Sequence, residues 1–593
     1  MCHRLEVFRD GDEWQGPANS GKRRMRRLAA IAAMLMLPGN LAAQSTLAPN
    51  SAPSSAPNSA RGVVIASDKA ASEAGLAVMR RGGSAADAAI AAALVLTVVA
   101  PQSASPGGVA AAVTYRSREH DVETWDGSAI APAAAGPDLF LDRDGKPMPA
   151  SAIRPGGRAV GVPGMMMLLQ SLQKAQGRLN WAQLAAPAIE LADKGFTVPP
   201  QLGRALAEAN GTLSQDRRVD LRPGTLANGG ASNASAQSGT PRLRNAPLAA
   251  VLRMVATSGA DAVLRGPVAI DIATSVRNDP SPGLLTADDL AAYTVTPQKP
   301  FCTPYRGLLV CSLGAPSLGG TTLVRSLGVL DRANLPRLDP AGAQATAMLL
   351  GAWRNSEAAS ADLLADADFA PNAAAALMAP ARLTAEARAL EDKYVLRPAS
   401  LPVPPMVSAE TGSAMVLAVD GDGNAVSLQL SLHSAFGSRL LVRGFALNDS
   451  LAGFAAQPAR DGTLLANRVE GGKRPLEGMA PVMVVDPRGR LRFVAGAEGG
   501  EDGATLAAQM LLHVIDFHQS PSAAASAPVW RLRDDRIDLE DGVGARLLLD
   551  LLRQSGQTPR LTSRSGHGAL IAWFESGAEG AATLPSEMGF GRQ

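Results

Sequence analysis

The chain reads ETGSAMVLAVDGDGNAVSLQLSLHSAFGS from Glu410 to Ser438. A small hydroxyl residue, Ser413, directly follows Gly412 and opens an alternating apolar run through Val416 and Ala418. The segment Asp420-Gly421-Asp422-Gly423-Asn424 is a dense turn signal, and a second alternating run follows from Ala425 to Leu432. The pattern predicts a hairpin whose first strand begins at Ser413, the placement used by self-cleaving N-terminal nucleophiles. Glycine offers no Cβ to obstruct attack by the Ser413 hydroxyl on the preceding carbonyl, and it tolerates the strained backbone of an N-to-O acyl shift. Cleavage would free an α-amine with a reference pKa of ~7.7 to 8.0, sufficiently unprotonated at neutral pH to act as base for the hydroxyl beside it. The same residues also describe a serine opening an ordinary hairpin, a common place for small polar residues. Local chemistry leaves both readings open.

Size and composition are those of a globular protein with a large core: 593 residues, 46% hydrophobic and 19% charged. Only 4% of residues are aromatic, which predicts tightly packed small side chains rather than a stacking platform for bases. Residues 1–43 carry seven Lys/Arg against four acids, so that without them the formal charge of +2 becomes −1. Nothing in this balance favours nucleic acid.

The same N-terminal stretch has the layout of a secretory signal. Lys22 to Arg27 precedes an apolar run from Leu28 to Leu37, then Pro38-Gly39 and a small-residue exit at Leu41 to Gln44. About ten apolar residues fall short of a bilayer core of ~30 Å, and membrane association is expected only through this segment, as a cleaved signal or as an uncleaved anchor that includes its flanks. Met25 is the more typical start, which makes residues 1–24 an upstream extension. Residues 44–61, rich in Ser, Ala, Pro and Asn, read as a disordered linker, with ordered structure starting near Gly62. A periplasmic or secreted location follows.

Once Cys2 is set aside with the signal, Cys302 and Cys311 remain. In FCTPYRGLLVC a two-residue turn at Arg306-Gly307 would pair Tyr305 with Leu308, Thr303 with Val310 and Cys302 with Cys311, and opposed cysteines can form a cross-strand disulfide. Two free buried thiols are the alternative, and the secretion signal favours the bridge. No cofactor is implied and no metal site, because neither cysteine has a C-x-x-C partner and the six histidines are scattered.

Helical spacing covers Ala70 to Arg81 and Ala85 to Val98, broken by Gly82-Gly83 with Ser84 as N-cap. Trp181 to Lys194 is a further helix closed by Gly195, and Leu285 to Tyr293 starts one with Thr286 as N-cap. Gly211 to Ala246 reads as a surface loop, and Pro398 to Gly412 as an exposed linker suited to processing. Strands are expected at Leu440 to Leu447, Met483 to Val485 and Leu491 to Ala495, and a helix from Asp502 to Phe517.

The chain resembles the γ-glutamyltransferase (γ-glutamyltranspeptidase) family of the N-terminal nucleophile hydrolase superfamily. The similarity begins near Gly62 and rests on ASEAGLAVMRRGGSAADAAIAAALVLTVVAPQS (71–103), VGVPG (160–164), WAQLAAPAIELADKGFTV (181–198), LLTADDLAAY (284–293), PSLGG (316–320), DGDGNAVS (420–427), FGS (436–438), GKRPLEGMAPVMVV (472–485) and GAEGG (496–500). Each segment is weak alone; nine in the family's order are strong. The resemblance implies an α+β fold, a four-layer αββα sandwich built from a large-subunit region (62–412) and a small-subunit catalytic region (413–593) that stay associated after cleavage. It places the catalytic nucleophile on Ser413, with Thr411 as runner-up, the supporting second hydroxyl on Ser431, and the oxyanion-hole glycines on Gly499 and Gly500.

The departures concern the pocket for the glutamyl group. Ser128 stands where the family has its carboxylate-binding arginine, Glu477 and Gly478 replace its paired serines, and His433 replaces an asparagine. Ser450 and Gly453 fall where Gln and Asp hold the substrate amine. Losing an Arg–carboxylate contact removes about 1.5 to 3 kcal/mol, and Glu477 adds repulsion, so a glutathione-type donor should bind poorly. The resemblance therefore implies an amide hydrolase or acyltransferase that acts through an acyl-enzyme on Ser413, with an acyl pocket suited to a neutral or cationic group. The alternatives are a true γ-glutamyltransferase with compensating contacts, and a non-catalytic periplasmic binding or structural relative.

Overall fold

The computed structural model describes residues 62–593, apart from 214–241, 394–410, short stretches at 334, 336–337, 339–342, 372, 534–535, 542–543, 555–556, 563–566, 575–576 and 584–587, and residue 593. The expected signal (1–43) and linker (44–61), most of the loop expected at Gly211–Ala246 and most of the proline-rich segment before Ser413 lie outside the described residues.

Two antiparallel sheets form the centre of the molecule. The first runs in the order Gly589–Arg592, Val63–Ala66, Thr411–Val419, Ala425–Ser434, Val109–Arg116, Asp121–Gly127, Pro297–Gln298. The second runs Gly577–Ala582, Gly568–Phe574, Leu491–Ala497, Val482–Val485, Leu308–Ser312, Phe301–Tyr305. Alternation along each strand divides the side chains between two faces. Ile65, Leu417 and Val113 from the first sheet meet Val494 and Ile571 from the second in a shared core. The other face of the first sheet, with Val64, Val416 and Leu428, packs on the helices Lys69–Arg80 and Ala85–Val99. The outer face of the second, with Val484, Ala495 and Leu570, packs on Leu318–Leu330 and Glu501–Ile515. The result is the expected four-layer αββα sandwich.

Local sequence accounts for several boundaries. Ala85–Val99 is apolar around its whole circumference, and every residue of it is buried, as a helix inside a large protein should be. Ser84 and Asp87 close a capping box at its start, and Asn180 with Gln183 and Thr286 with Asp289 do the same for Trp181–Lys194 and Ala287–Ala292. The hairpin at Cys302 has the expected register, with Arg306-Gly307 at the turn, and the two sulfurs are bonded.

Two expectations change. The strand expected to begin at Ser413 begins two residues earlier, at Thr411. Leu440–Leu447 is not one strand but a tight hairpin of Leu441–Val442 against Phe445–Ala446, because Arg443 (φ 47°) and Gly444 (φ 85°) both turn left-handed. Among the described residues, no helix is long and apolar enough to cross a membrane.

Candidate active site

Ser413 and Ser431 are directly paired in the ladder between Thr411–Val419 and Ala425–Ser434, so their side chains share one face of the sheet. That face looks onto the second sheet and is joined to it by polar contacts. Ser427 Oγ donates to the Ala495 carbonyl at 2.8 Å and Gln429 Nε2 to that of Ala497 at 3.0 Å. The Gly499 N–H then donates to Ser413 Oγ at 2.6 Å. This series sets the register of one sheet on the other and ends at Ser413, which is 6% exposed.

Ser431 Oγ donates to the carbonyl oxygen of Gly412 at 3.2 Å and accepts the His433 N–H at 2.8 Å. The second contact depends on a bulge: the register shifts between Ser431 and His433, and His433 takes φ 75°. Such a bulge re-aims side chains at the end of a strand. Gly499 (φ 112°) and Gly500 (φ 57°) occupy backbone conformations that favour glycine. Gly500 caps Glu501–Ile515, so the positive end of that helix lies beside the Gly499 amide. Thr411 pairs with Ser434, further along the same strand.

The bulge also brings His433 to a buried acidic group. Asp449 Oδ1 lies 3.7 Å from His433 Nδ1 and accepts the Ser434 N–H at 2.9 Å, while the Ser434 hydroxyl donates to Oδ2. Burial alone would raise the Asp449 pKa, but His433 and Ser434 outweigh it and hold it below the ordinary value. Burial would likewise lower that of His433, but Asp449 and the charge of Glu477 raise it instead. Glu477 is buried beside them. Desolvation, reinforced by Asp126 and Asp449 and opposed by His433 and the Ser450 hydroxyl, pushes its pKa up to about 7.

The other candidate residues surround this group. Ser128 is buried; its N–H donates to Asp126 Oδ1 at 2.9 Å and its carbonyl accepts the Tyr293 hydroxyl at 2.5 Å. Asp126 pairs in turn with Arg474 at 3.4 Å. Ser450 and Gly453 begin and end one short turn, and the Gly453 Cα packs against the Leu476 carbonyl, one residue before Glu477. The Gly478 Cα lies near Gly500, which places Glu477 and Gly478 close to Gly499 and Gly500. Sequence reasoning missed Asp449, Asp126, Arg474 and Tyr293. Arg474 stood inside a quoted motif, and Asp449 directly precedes Ser450, so adjacency was the available signal. Among the described residues no cluster of three or more His, Cys, Asp or Glu is arranged to hold a metal. A groove of about 940 Å³ between the sheet edges, touching Gln298, Cys302 and Leu309, includes none of these residues.

Two paired hydroxyls, Ser413 and Ser431, the second on the carbonyl before the first, and the Gly499 amide on Ser413 Oγ thus lie together on a two-sheet sandwich. The family model for gamma-glutamyltranspeptidase matches residues 71–587. The chain belongs to the γ-glutamyltranspeptidase family. It is 29% identical over 524 residues to the glutathione hydrolase proenzyme of Escherichia coli K12, covering 85% of this chain and 87% of that protein. Identity to the glutathione hydrolase proenzyme of Pseudomonas aeruginosa is 31% over 475 residues, covering 79% and 82%. A cephalosporin acylase from Bacillus halodurans shares the fold with a TM-score of 0.76 and 22% identity, over 92% of this chain and 99% of that one. This γ-glutamyltranspeptidase-family chain is thus a γ-glutamyltransferase-like amide hydrolase.

Proposed function

We propose that the chain cleaves itself between Gly412 and Ser413 and then acts through an acyl-enzyme on Ser413. Ser413 Oγ attacks the Gly412 carbonyl carbon, and its proton passes to the departing amide nitrogen as the C–N bond breaks. Water hydrolyses the resulting ester, leaving a Gly412 carboxylate and the free α-amine of Ser413. That amine is the base that activates the same hydroxyl toward an external amide. Ser431 donates to the oxyanion that forms on Gly412 during self-cleavage, and Gly499 and Gly500 supply amide donors to the oxyanion formed from an external amide, worth roughly 2.7 to 4 kcal/mol per donor in comparable sites.

The observation that carries this reading is the pair of contacts around the scissile bond. The Ser431 hydroxyl polarises the Gly412 carbonyl at 3.2 Å, while the Gly499 amide holds Ser413 Oγ at 2.6 Å. The substrate is a small γ-glutamyl or related amide, with water or an amine as acceptor, and the two fragments remain associated in the periplasm or outside the cell. An altered acyl specificity is supported by Ser128 in place of a cationic side chain, with the nearby Arg474 paired to Asp126, and by the buried carboxyl group of Glu477. N-terminal sequencing of purified protein should find a fragment beginning at Ser413, and Ser413→Ala should remain a single chain. A wild-type chain that stays whole would sink the proposal.

A further inference from the structure

The pairing between Val482–Val485 and Leu491–Ala497 ends where Val482 meets Ala495. Two residues further on, the next equivalent rung of this antiparallel ladder would join Ala480 to Ala497. A side chain from the facing sheet stands in that rung instead. Gln429 Oε1 accepts the Ala480 N–H at 2.7 Å, and Gln429 Nε2 donates to the Ala497 carbonyl at 3.0 Å. The carboxamide thus offers each strand the kind of group that its partner strand would have offered. Its surroundings are apolar. Gln429 is 3% exposed, its cross-strand neighbours Met415 and Ala111 belong to the core shared by the two sheets, and Gly496 faces it without a Cβ. A buried carboxamide is costly unless its polar atoms are bonded, and packing alone calls for an apolar side chain at this position.

What the bridge secures follows from where the two strands go. After Ala497 the backbone passes Glu498, whose N–H donates to the His567 carbonyl at 2.8 Å, and reaches Gly499, whose N–H lies on Ser413 Oγ. On the other side, the segment before Ala480 is drawn away by the Ser317 hydroxyl on the Met479 carbonyl and by the Leu318 N–H on that of Glu477. The strands part as a fork, and Gln429 stands at its base. Ser431, two residues along the same strand and on the same face, is paired with Ser413. The step from the bridge to the nucleophile is therefore one position on each sheet.

We propose that Gln429 is a positioning residue for the reaction: by bridging Ala480 and Ala497 it fixes the spread of the two strands and so holds the Gly499 amide on Ser413 Oγ. The inference rests on Ser413 being the nucleophile, and Gln429 itself touches no reacting atom. The role requires one group that accepts on one side and donates on the other. An ionised carboxylate can accept from Ala480 but sets a second acceptor against the Ala497 carbonyl, whereas a protonated carboxyl accepts and donates as the amide does. An apolar side chain does neither. Burial lifts the carboxyl introduced by Gln429→Glu above its ordinary ~4.3, so it is protonated in mild acid and ionises as pH rises. The cross-strand neighbours Met415 and Ala111 do not titrate. Glu477 and Glu498, on the bridged segments, and His567, 3.6 Å from Glu498, are common to variant and wild type and cancel in their ratio.

The test follows conversion of precursor to fragments after cell-free synthesis of the full chain, for wild type, Gln429→Leu and Gln429→Glu. Amide hydrogen exchange of residues 496–505 is measured by mass spectrometry on the same purified chains. Gln429→Leu should cleave at least about tenfold slower than wild type at every pH, while Gln429→Glu should stay within about threefold at pH 5 and fall at least about tenfold behind by pH 9. Exchange over 496–505 should be faster than wild type throughout in Gln429→Leu, and only at the higher pH in Gln429→Glu. A purely structural role would slow both variants alike at all pH. Gln429→Leu cleaving at the wild-type rate, or a ratio of Gln429→Glu to wild type that does not fall with pH, would each overturn the proposal. If Gln429→Leu fails to fold, the two ends of the Gln429→Glu profile still decide. A wild type that never cleaves removes the nucleophile reading instead, and exchange then decides alone: wild-type exchange in Gln429→Glu at pH 9 would show that the bridge does not hold the Gly499 turn.

Discussion

Backbone closes the space beside Gly412: a Cβ placed there would stand 2.0 Å from the carbonyl oxygen of Ser434 and 2.3 Å from its carbonyl carbon. Neither atom is the end of a flexible side chain, so the strand end must move to admit any other residue. Gly412→Ala should therefore leave the fold intact but displace the scissile carbonyl from Ser431. Self-cleavage should slow at least tenfold, about 1.4 kcal/mol of barrier. Gel analysis of precursor against time would measure it, and wild-type kinetics in the variant would contradict the close approach.

Ser431 separates polarisation of the scissile carbonyl from nucleophilicity. Removing its hydroxyl deletes a donor to a carbonyl oxygen that becomes negative during the acyl shift, a loss of ~1.5 to 3 kcal/mol for a bond to a charged group. Ser431→Ala should slow cleavage roughly tenfold to a hundredfold, and Ser431→Thr, which keeps the hydroxyl, should restore most of the rate. Equal rates in the alanine and threonine variants would assign Ser431 a packing role instead.

The raised pKa of Glu477 has a consequence for ligand-free stability. The folded chain holds this proton up to about pH 7, whereas an unfolded glutamic acid releases it near ~4.3. Between those values the folded state binds more protons, so stability falls as pH rises, by at most about 1.4 kcal/mol per unit. Glu477→Gln should remove that loss. The gap in thermal midpoint between variant and wild type should widen in the variant's favour from pH 5 to 8, and parallel profiles would mean that Glu477 stays ionised throughout.

The Cys302–Cys311 bridge closes a short loop at the edge of the second sheet. For a sequence separation of 9, loop-closure entropy predicts stabilisation of about 2.5 kcal/mol. Replacing both cysteines with alanine should lower the thermal midpoint without changing the cleavage rate, because the hairpin touches none of the groups around Ser413. A cleavage defect at a temperature where the variant is folded would show that the edge communicates with the site.

How much of this was legible in the sequence depended on how each element is buried. The hairpin at Ser413, the capped helices and the cysteine hairpin carry local signals: turn residues, caps and a fixed register. Val63–Ala66 and Val109–Arg116 carry little, because they are covered on both faces and read as plain apolar runs rather than alternating ones. Ser413, Ser431 and Gly499, named from family motifs, lie together in the fold. The pocket chemistry could not be named that way, since Asp449, Asp126 and Arg474 come from separate parts of the chain and act only through contacts that the fold creates.

The strand order of the two sheets bears on what a cut at Gly412 does to the molecule. In the first sheet Val63–Ala66 lies between Gly589–Arg592 and Thr411–Val419, and in the second Val482–Val485 neighbours Leu308–Ser312. Segments from before and after Gly412 are thus interleaved in both sheets, and neither piece has a complete sheet of its own. Refolding is unimolecular for the intact chain, but for the cut one it requires two molecules to meet. Recovery from denaturant should then depend on protein concentration and lag far behind that of the Ser413→Ala chain, which would make the proposed self-cleavage a one-way commitment to a structure assembled beforehand.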